Sequence, residues 1–166
     1  MDELREISGV SKVTLIGLRL GALLATMTAA NRPGDAAGII LWDPILHRNY
    51  LQELEDLSSN RLETPASPRA LKRAGCQIVG HAIGESLVNS FQQLDLAAAA
   101  ARLTLPITLV ISGDEAALAR AAAAFAQMTP KTAFAYPVRP CWLDDPALPG
   151  GFVPAPIINA IVRELA

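Results

Sequence analysis

The chain has 166 residues, a length that matches one globular domain of ordinary size. Hydrophobic residues make up 51% of it, charged residues 18%, and the mean hydropathy is +0.30, a composition that excludes intrinsic disorder. The formal net charge is −2 and no stripe of lysine and arginine is present, so nucleic acid is not an expected partner.

The cysteines and the N-terminus indicate a cytoplasmic protein. Cys76 and Cys141 lie far apart and lack metal-knuckle spacing, so neither a metal site nor a disulfide framework is predicted. The charged N-terminus precedes no secretory apolar region, and the apolar runs are shorter than the roughly 18–20 residues that a membrane span needs. We expect no membrane span, no metal and no cofactor.

Strands and helices are predicted to alternate in the first part of the chain. Val13–Leu18 is an apolar, β-prone run, and Leu20–Ala30 is rich in the helix formers alanine and leucine. A second buried strand is predicted at Gly38–Trp42, where the Asp43-Pro44 pair ends it. Two buried strands that bracket a helix predict a βαβ unit with a parallel sheet.

The chain changes character between His47 and Gly75, where charged residues become frequent, and we interpret this stretch as a surface insertion. A strand at Gln77–Gly84 and a helix at Glu85–Leu94 are predicted to follow it. The main sheet then resumes with an apolar, β-branched strand at Leu105–Ile111.

The last third of the chain predicts a helix, a strand and a closing helix. Ser112 and Glu115 fit a capping box that opens a helix extending to about Met128. Thr132–Val138 is predicted as a strand, and a proline-rich irregular loop from Val138 to Pro154 follows it. Pro156 then fits the first turn of a helix with an apolar stripe, formed by Ile157, Ile158, Ile161, Val162 and Leu165.

One short motif points to chemistry. Gly17-Leu18-Arg19-Leu20-Gly21 lies between a predicted strand and a predicted helix, which is the frame of the G-x-S-x-G nucleophile elbow. Such a turn holds its central residue in a strained conformation, and small residues on either side let the strand and the helix approach closely. We therefore expect residue 19 to project into a site.

The residues around this motif resemble a known family. Val13–Ala25 followed by Leu41–Pro44 is similar to the α/β-hydrolase proteins called exosortase A system-associated hydrolases and to their relatives near the serine aminopeptidases. The spacing of Gly80 and the Leu94-Asp95-Leu96 segment, and Trp142 ahead of Val153–Ile157, are similar too. The resemblance covers nearly the whole chain, but only about the C-terminal two-thirds of a family member.

This resemblance implies a fold and a division of the chain. The fold is α/β, with a mainly parallel sheet of the α/β-hydrolase type that lacks its N-terminal strands, because only a short segment precedes the elbow strand. One hydrolase-like domain is expected, with its core at 1–46 and 97–166 and a small helical cap inserted at 47–96. We expect the chain to be a fragment or a truncated gene product.

The activity that the resemblance implies is hydrolysis of a small ester, thioester or peptide-like substrate, yet the sequence departs from the family's triad. Position 19 is arginine, whose guanidinium is not deprotonated in proteins and is no nucleophile. The loop from Arg139 to Pro154, where the family's histidine is expected, holds none. The catalytic acid of the family's triad is expected just after Ile111, where Asp114 and Glu115 lie.

Two function classes therefore stay open. One is a degenerate or truncated hydrolase, a pseudoenzyme if the missing serine and histidine are not replaced. The other is a non-catalytic module that binds an anionic small molecule at Arg19, or that pairs with a partner protein. Arg19, Leu20 and Trp142 are the candidate ligand-binding residues.

Each candidate residue also has a structural interpretation. Arg19 could clamp a carboxylate or phosphate beside helix N–H groups, or it could pair with Asp114, Glu115 or Asp43 and fill an inactive site. Asp114 and Glu115 are explained by helix capping, without any catalytic role. The remaining candidates, for which structural roles are favoured, are His47, His81, Ser86 and Cys141.

The apolar composition has one further implication. A parallel sheet that lacks its first strands exposes an unpaired hydrophobic edge. We therefore expect either self-association or a partner protein that covers this edge.

Overall fold

The computed structural model describes residues 2–44, 76–78, 81–124, 132–136 and 154–165. The chain divides into two compact units, Met1–Leu46 with Leu96–Ala166, and His47–Asp95. In the described ranges no helix is long and apolar enough to cross a bilayer.

Helices and strands alternate in the first unit. It contains α1 (Asp2–Ser8), β1 (Val13–Leu18), α2 (Leu20–Asn31), β2 (Ala36–Trp42), α4 (Leu96–Ala100), β5 (Ile107–Ser112), α5 (Glu115–Ala124), β6 (Thr132–Tyr136) and α6 (Ala155–Leu165). The second unit contains β3 (Cys76–Ile78), β4 (His81–Ile83) and α3 (Glu85–Gln93).

The first unit is built on a four-stranded sheet with the order β1-β2-β5-β6, in which every neighbouring pair is parallel. This confirms the predicted fold class and the predicted βαβ unit. The central strand β5 is buried along its whole length, as a strand covered on both faces should be. The predicted ends of β1 are confirmed at both residues.

Helices cover the two faces of this sheet. A Cβ placed on Gly17 would meet the backbone of Gly21 and Ala22, so the face that includes Gly17 lies against α2. Because side chains alternate along a strand, Ile40 belongs to the opposite face, where it packs with Val110 of β5 and with α6. In α6 the contacts come from Ile157 and Ile161.

An ion-pair network joins α1 to the turn that precedes β2. The Asp35 carboxylate receives the Arg5 guanidinium at 2.6 Å and the Arg32 guanidinium at 2.6 Å. Arg32 also donates to both carboxylate oxygens of Asp2, and this pairing lowers the pKa of Asp2 and raises the pKa of Arg32. These groups are partly or fully exposed, so the network positions α1 more than it stabilises the fold. The sequence did not predict α1.

Two predictions about elements need correction. Gln77–Gly84 is not one strand, because β3 and β4 pair antiparallel with Gln77 opposite Ala82. The strand predicted from Leu105 begins at Ile107, after Pro106, which has no N–H to donate to a sheet. The short helix α4 was not predicted as an element.

Other predictions are confirmed, or lie outside the described ranges. The helix that begins at Glu85 ends one residue before its predicted end, and Pro156 lies in the first turn of α6. The strand at Thr132 is confirmed to Tyr136. The insertion from 47 to 75, the predicted end of α5 at Met128, and the loop from 138 to 153 lie outside the described residues.

The outer edge of β1 carries apolar side chains. Among the described strands, β1 pairs only with β2. The Arg19 N–H donates to the Trp42 carbonyl at 2.9 Å. The backbone N–H and C=O groups of every second residue before Arg19 therefore also point toward β2. The residues between them, which include Ile16 and Leu18, direct their backbone N–H and C=O groups away from β2. Ile16 is 49% exposed and Leu18 is 38% exposed.

Candidate functional site

The turn between β1 and α2 has the backbone of a nucleophile elbow. Arg19 occupies it with φ 53° and ψ −117°, a conformation that costs a residue with a side chain on the order of 1–3 kcal/mol. Its N–H donates to the Trp42 carbonyl, and its own carbonyl accepts the Ala22 N–H at 3.0 Å. These two hydrogen bonds hold the strained residue at the point where the strand becomes a helix.

The glycines on either side of Arg19 have different roles. A Cβ on Gly17 would lie 2.3 Å from the Gly21 carbonyl oxygen and 2.4 Å from the backbone of Ala22, so no other residue fits there. A Cβ on Gly21 would have nothing within 4 Å. The expectation that the close approach needs small residues on both sides is therefore confirmed at Gly17 and wrong at Gly21.

Leu20, a candidate ligand-binding residue, is the first residue of α2 and is half-buried. Its N–H is among the first four of the helix, which have no partner within the helix. In a nucleophile elbow, the N–H that follows the central residue contributes to the oxyanion hole. The local geometry therefore places a backbone donor beside Arg19.

The carboxyl end of the next strand carries a buried carboxylate, Asp43, which we considered from the sequence as the end of a strand and as a possible partner of Arg19. Asp43 follows β2 with φ 42°, and the residue is 7% exposed. Its Oδ1 accepts the Ser112 N–H at 2.7 Å, and its Oδ2 accepts the Ser112 hydroxyl at 2.6 Å. The Trp42 indole N–H donates to the same Ser112 oxygen at 3.2 Å.

The electrostatics of this carboxylate follow from its burial. Burial raises the pKa of Asp43 above its ordinary value, while the two hydrogen bonds from Ser112 and the positive charge of Arg19 act in the opposite direction. The Arg19 charge is therefore close enough to influence Asp43. The carboxyl ends of β1, β2 and β5 thus bring together Arg19, Asp43 and Ser112.

The predicted capping box is wrong. Ser112 is the last residue of β5, and its hydroxyl is engaged by Asp43. The N-cap is Asp114, whose Oδ1 accepts the Ala117 N–H at 2.8 Å. Gly113, with φ 147°, lies between the strand and the cap, and its N–H donates to the Tyr136 carbonyl at 2.7 Å. Glu115 becomes the first residue of α5.

The other site candidates are not joined to this cluster. Asp114 and Glu115 are exposed, and the Asp114 carboxylate already caps a helix, so a catalytic role for either stays a prediction. Ser86 is exposed in the first turn of α3, and His81 belongs to β4. Trp142, His47 and Cys141 lie outside the described residues. Within the described part of the chain, no group of three or more His, Cys, Asp or Glu residues could hold a metal ion.

Substitutions at Arg19 test the strain at the elbow. We expect Arg19→Gly to be more stable than Arg19→Ala by about 1 kcal/mol, because only glycine adopts this backbone conformation without a steric cost. Both variants remove the same side-chain contacts, so their difference in unfolding free energy, measured by urea denaturation, reports the backbone. If Arg19→Ala were at least as stable as Arg19→Gly, the backbone strain at residue 19 would be contradicted.

The chain is similar to solved structures of hydrolytic enzymes. One is VinJ, with a TM-score of 0.55, 14% identity, and coverage of 99% of this chain and 69% of that one. Another is a probable hydrolytic enzyme from Pseudomonas aeruginosa, with a TM-score of 0.53, 17% identity, and coverage of 99% of this chain and 67% of that one. A carboxylesterase from the thaumarchaeon Nitrososphaera gargenis has a TM-score of 0.50, 12% identity, and coverage of 81% and 60%.

No protein-family model matches the sequence, and no curated protein sequence matches it. The chain spans 60 to 69% of the length of these three solved structures. At these identities the likeness establishes the fold. The parallel sheet, the elbow at residue 19 and these structural neighbours together give this chain the α/β-hydrolase fold.

Proposed function

We propose that this chain is a degenerate α/β hydrolase that keeps the nucleophile elbow without a nucleophile. The observation that supports the proposal is the residue at the elbow, since Arg19 has φ 53° and ψ −117° although its side chain cannot attack a carbonyl carbon. A strained turn with a closely packed glycine is typical of a site inherited from a catalytic ancestor. The exosortase-associated relatives named above remain part of this proposal.

The proposal predicts no acyl-enzyme chemistry at residue 19. We expect the wild-type chain and Arg19→Ala to hydrolyse nitrophenyl acetate, an acetyl thioester and an aminoacyl nitroanilide at the same rate as buffer. These three substrates represent the ester, thioester and peptide-like classes that a family enzyme would take. Release of nitrophenol, thiol or nitroaniline is followed by absorbance, with Arg120→Ala as a control that removes an exposed arginine.

A wild-type rate above that of buffer that Arg19→Ala abolishes would contradict the proposal, because Arg19 would then take part in turnover. A wild-type rate that survives in Arg19→Ala would also contradict it, by placing a nucleophile elsewhere in the chain.

An alternative function is binding of a small anion at the elbow. The observation that favours it is the position of Arg19 as the N-cap residue of a 12-residue helix. Helix N–H groups and a guanidinium both attract carboxylate and phosphate. Asp43 opposes this attraction when it is ionised, because it lies within electrostatic reach of Arg19. Acetate or phosphate binding that is lost in Arg19→Gln would favour this alternative.

A second alternative is pairing with a protein partner along β1. The exposed Ile16 and Leu18 side chains and the outward backbone groups of β1 favour a partner that adds a strand to the sheet. A second copy of the chain or a different protein could supply that strand. In either case the partner would cover the apolar edge.

A further inference from the structure

A cavity of about 330 Å³ lies at the end of the sheet opposite the elbow. It is lined by the residue before β1, the turn before β2 and the segment before β5. Lys12 lines this cavity and precedes β1, whereas Arg19 forms the elbow and follows β1. A strand rises about 3.3 Å per residue, so the cavity lies on the order of 20 Å from the elbow. It is therefore a separate site from the one described above.

The charged side chains that line this cavity are both cationic. Lys12 and Arg102 line it, and among the described residues no acid does. Asp35 and Asp2 are already paired, because Asp35 binds Arg5 and Arg32, and Asp2 binds Arg32. Glu164 lines an adjoining cavity that shares Ala37 and Pro106 with this one. Within the described ranges, neither Lys12 nor Arg102 forms an ion pair. Two cations on a lining that contains no described acid favour an anion.

Polar and apolar atoms share the surface of the cavity about equally. Its apolar part includes Pro33, Leu105 and Pro106, which are partly or fully exposed. A volume of this size is within the range of small-molecule sites, which combine an apolar wall with a few polar groups. Inorganic anions would leave the apolar wall in contact with water, whereas an alkyl chain would cover it.

We propose that this cavity binds a small amphipathic anion, with its carboxylate or phosphate head between Lys12 and Arg102 and its alkyl chain against Pro33, Leu105 and Pro106. The two cations come from sequence positions far apart, and the parallel pairing of β1, β2 and β5 brings them to one end of the sheet. This site lies at the amino ends of the strands, whereas Arg19, Asp43 and Ser112 lie at the carboxyl ends.

Calorimetric titration of the full chain at low salt tests the site. Octanoate and octyl phosphate are the two probes that carry an alkyl chain, and they separate the two head groups. We expect at least one of them to bind, and acetate to bind at least about tenfold more weakly, because it has no chain to cover the apolar wall. We expect Lys12→Gln and Arg102→Gln each to weaken octyl-probe binding about fivefold or more.

Arg120→Gln is the matched control, since Arg120 is exposed, does not line the cavity and loses the same charge. It should bind the octyl probe within about twofold of the wild type. Lys12 and Arg102 are exposed, so their variants should fold, which melting by circular dichroism verifies. Three results would overturn the site: no octyl probe binding, binding unchanged in both cavity variants, or equal weakening in Arg120→Gln.

Discussion

Gly17→Ala is expected to prevent folding or to lower the unfolding free energy by about 3 kcal/mol or more. The new Cβ would lie 2.3 Å from the Gly21 carbonyl oxygen and 2.4 Å from both the N and the Cα of Ala22. All three are backbone atoms, so no rotation of a side chain relieves the contact. The helix α2 would have to move away from β1, which would also break the hydrogen bonds of the elbow.

Gly21→Ala is the matched control for this prediction. Both glycines belong to the same pentapeptide, but a Cβ on Gly21 has nothing within 4 Å and the residue lies in a helix. Alanine is favoured over glycine in a helix interior by about 1 kcal/mol, so this variant should be at least as stable as the wild type. Urea denaturation followed by circular dichroism compares the two, and equal stability of both variants would contradict the close approach.

Asp43→Asn is expected to lower the unfolding free energy by about 2 kcal/mol where the Asp43 carboxylate is ionised. The amide keeps one acceptor for the Ser112 N–H, but it places an NH2 group where Oδ2 receives the Ser112 hydroxyl. That hydroxyl oxygen already accepts the Trp42 indole, so the rearranged network leaves a buried proton without an acceptor. Asp114→Asn is the control, since asparagine caps helices as well as aspartate does.

The penalty of Asp43→Asn should also depend on pH. Because the folded-state pKa of Asp43 is raised, the native chain holds the proton more tightly than the unfolded chain does. The contribution of Asp43 to stability is therefore fully present below its unfolded pKa, near 3.8, and is lost as pH rises through the folded pKa. The difference in unfolding free energy between wild type and Asp43→Asn should shrink between pH 4 and pH 8, and a difference that grows would contradict the raised pKa.

The fold could be predicted where local patterns determine it. The ends of β1 follow from an apolar, β-branched run that stops at the elbow, and α2 follows from the alanine and leucine after it. The network of Asp43 and Ser112 could not be predicted in this way. These residues lie 69 positions apart, and only the parallel pairing of β2 with β5 brings them into contact.

The capping error has a similar cause. Ser112 and Glu115 have the spacing of a capping box, but Gly113 adopts φ 147° and moves the start of the helix to Glu115. Asp114 is then the residue whose carboxylate reaches the free N–H of Ala117. The spacing of Ser112 and Glu115 does match a capping box, but the Ser112 hydroxyl donates instead to the Asp43 carboxylate on the neighbouring strand.

The composition of β1 has a consequence for the chain before it folds. Val13–Leu18 is a six-residue segment with high β-propensity, no charge and no proline, which are the features of segments that stack into cross-β fibrils. Lys12 and Arg19 flank it as gatekeepers, because in-register stacking would place identical charges about 4.8 Å apart. The arginine at the elbow therefore also opposes fibril growth from the strand before it.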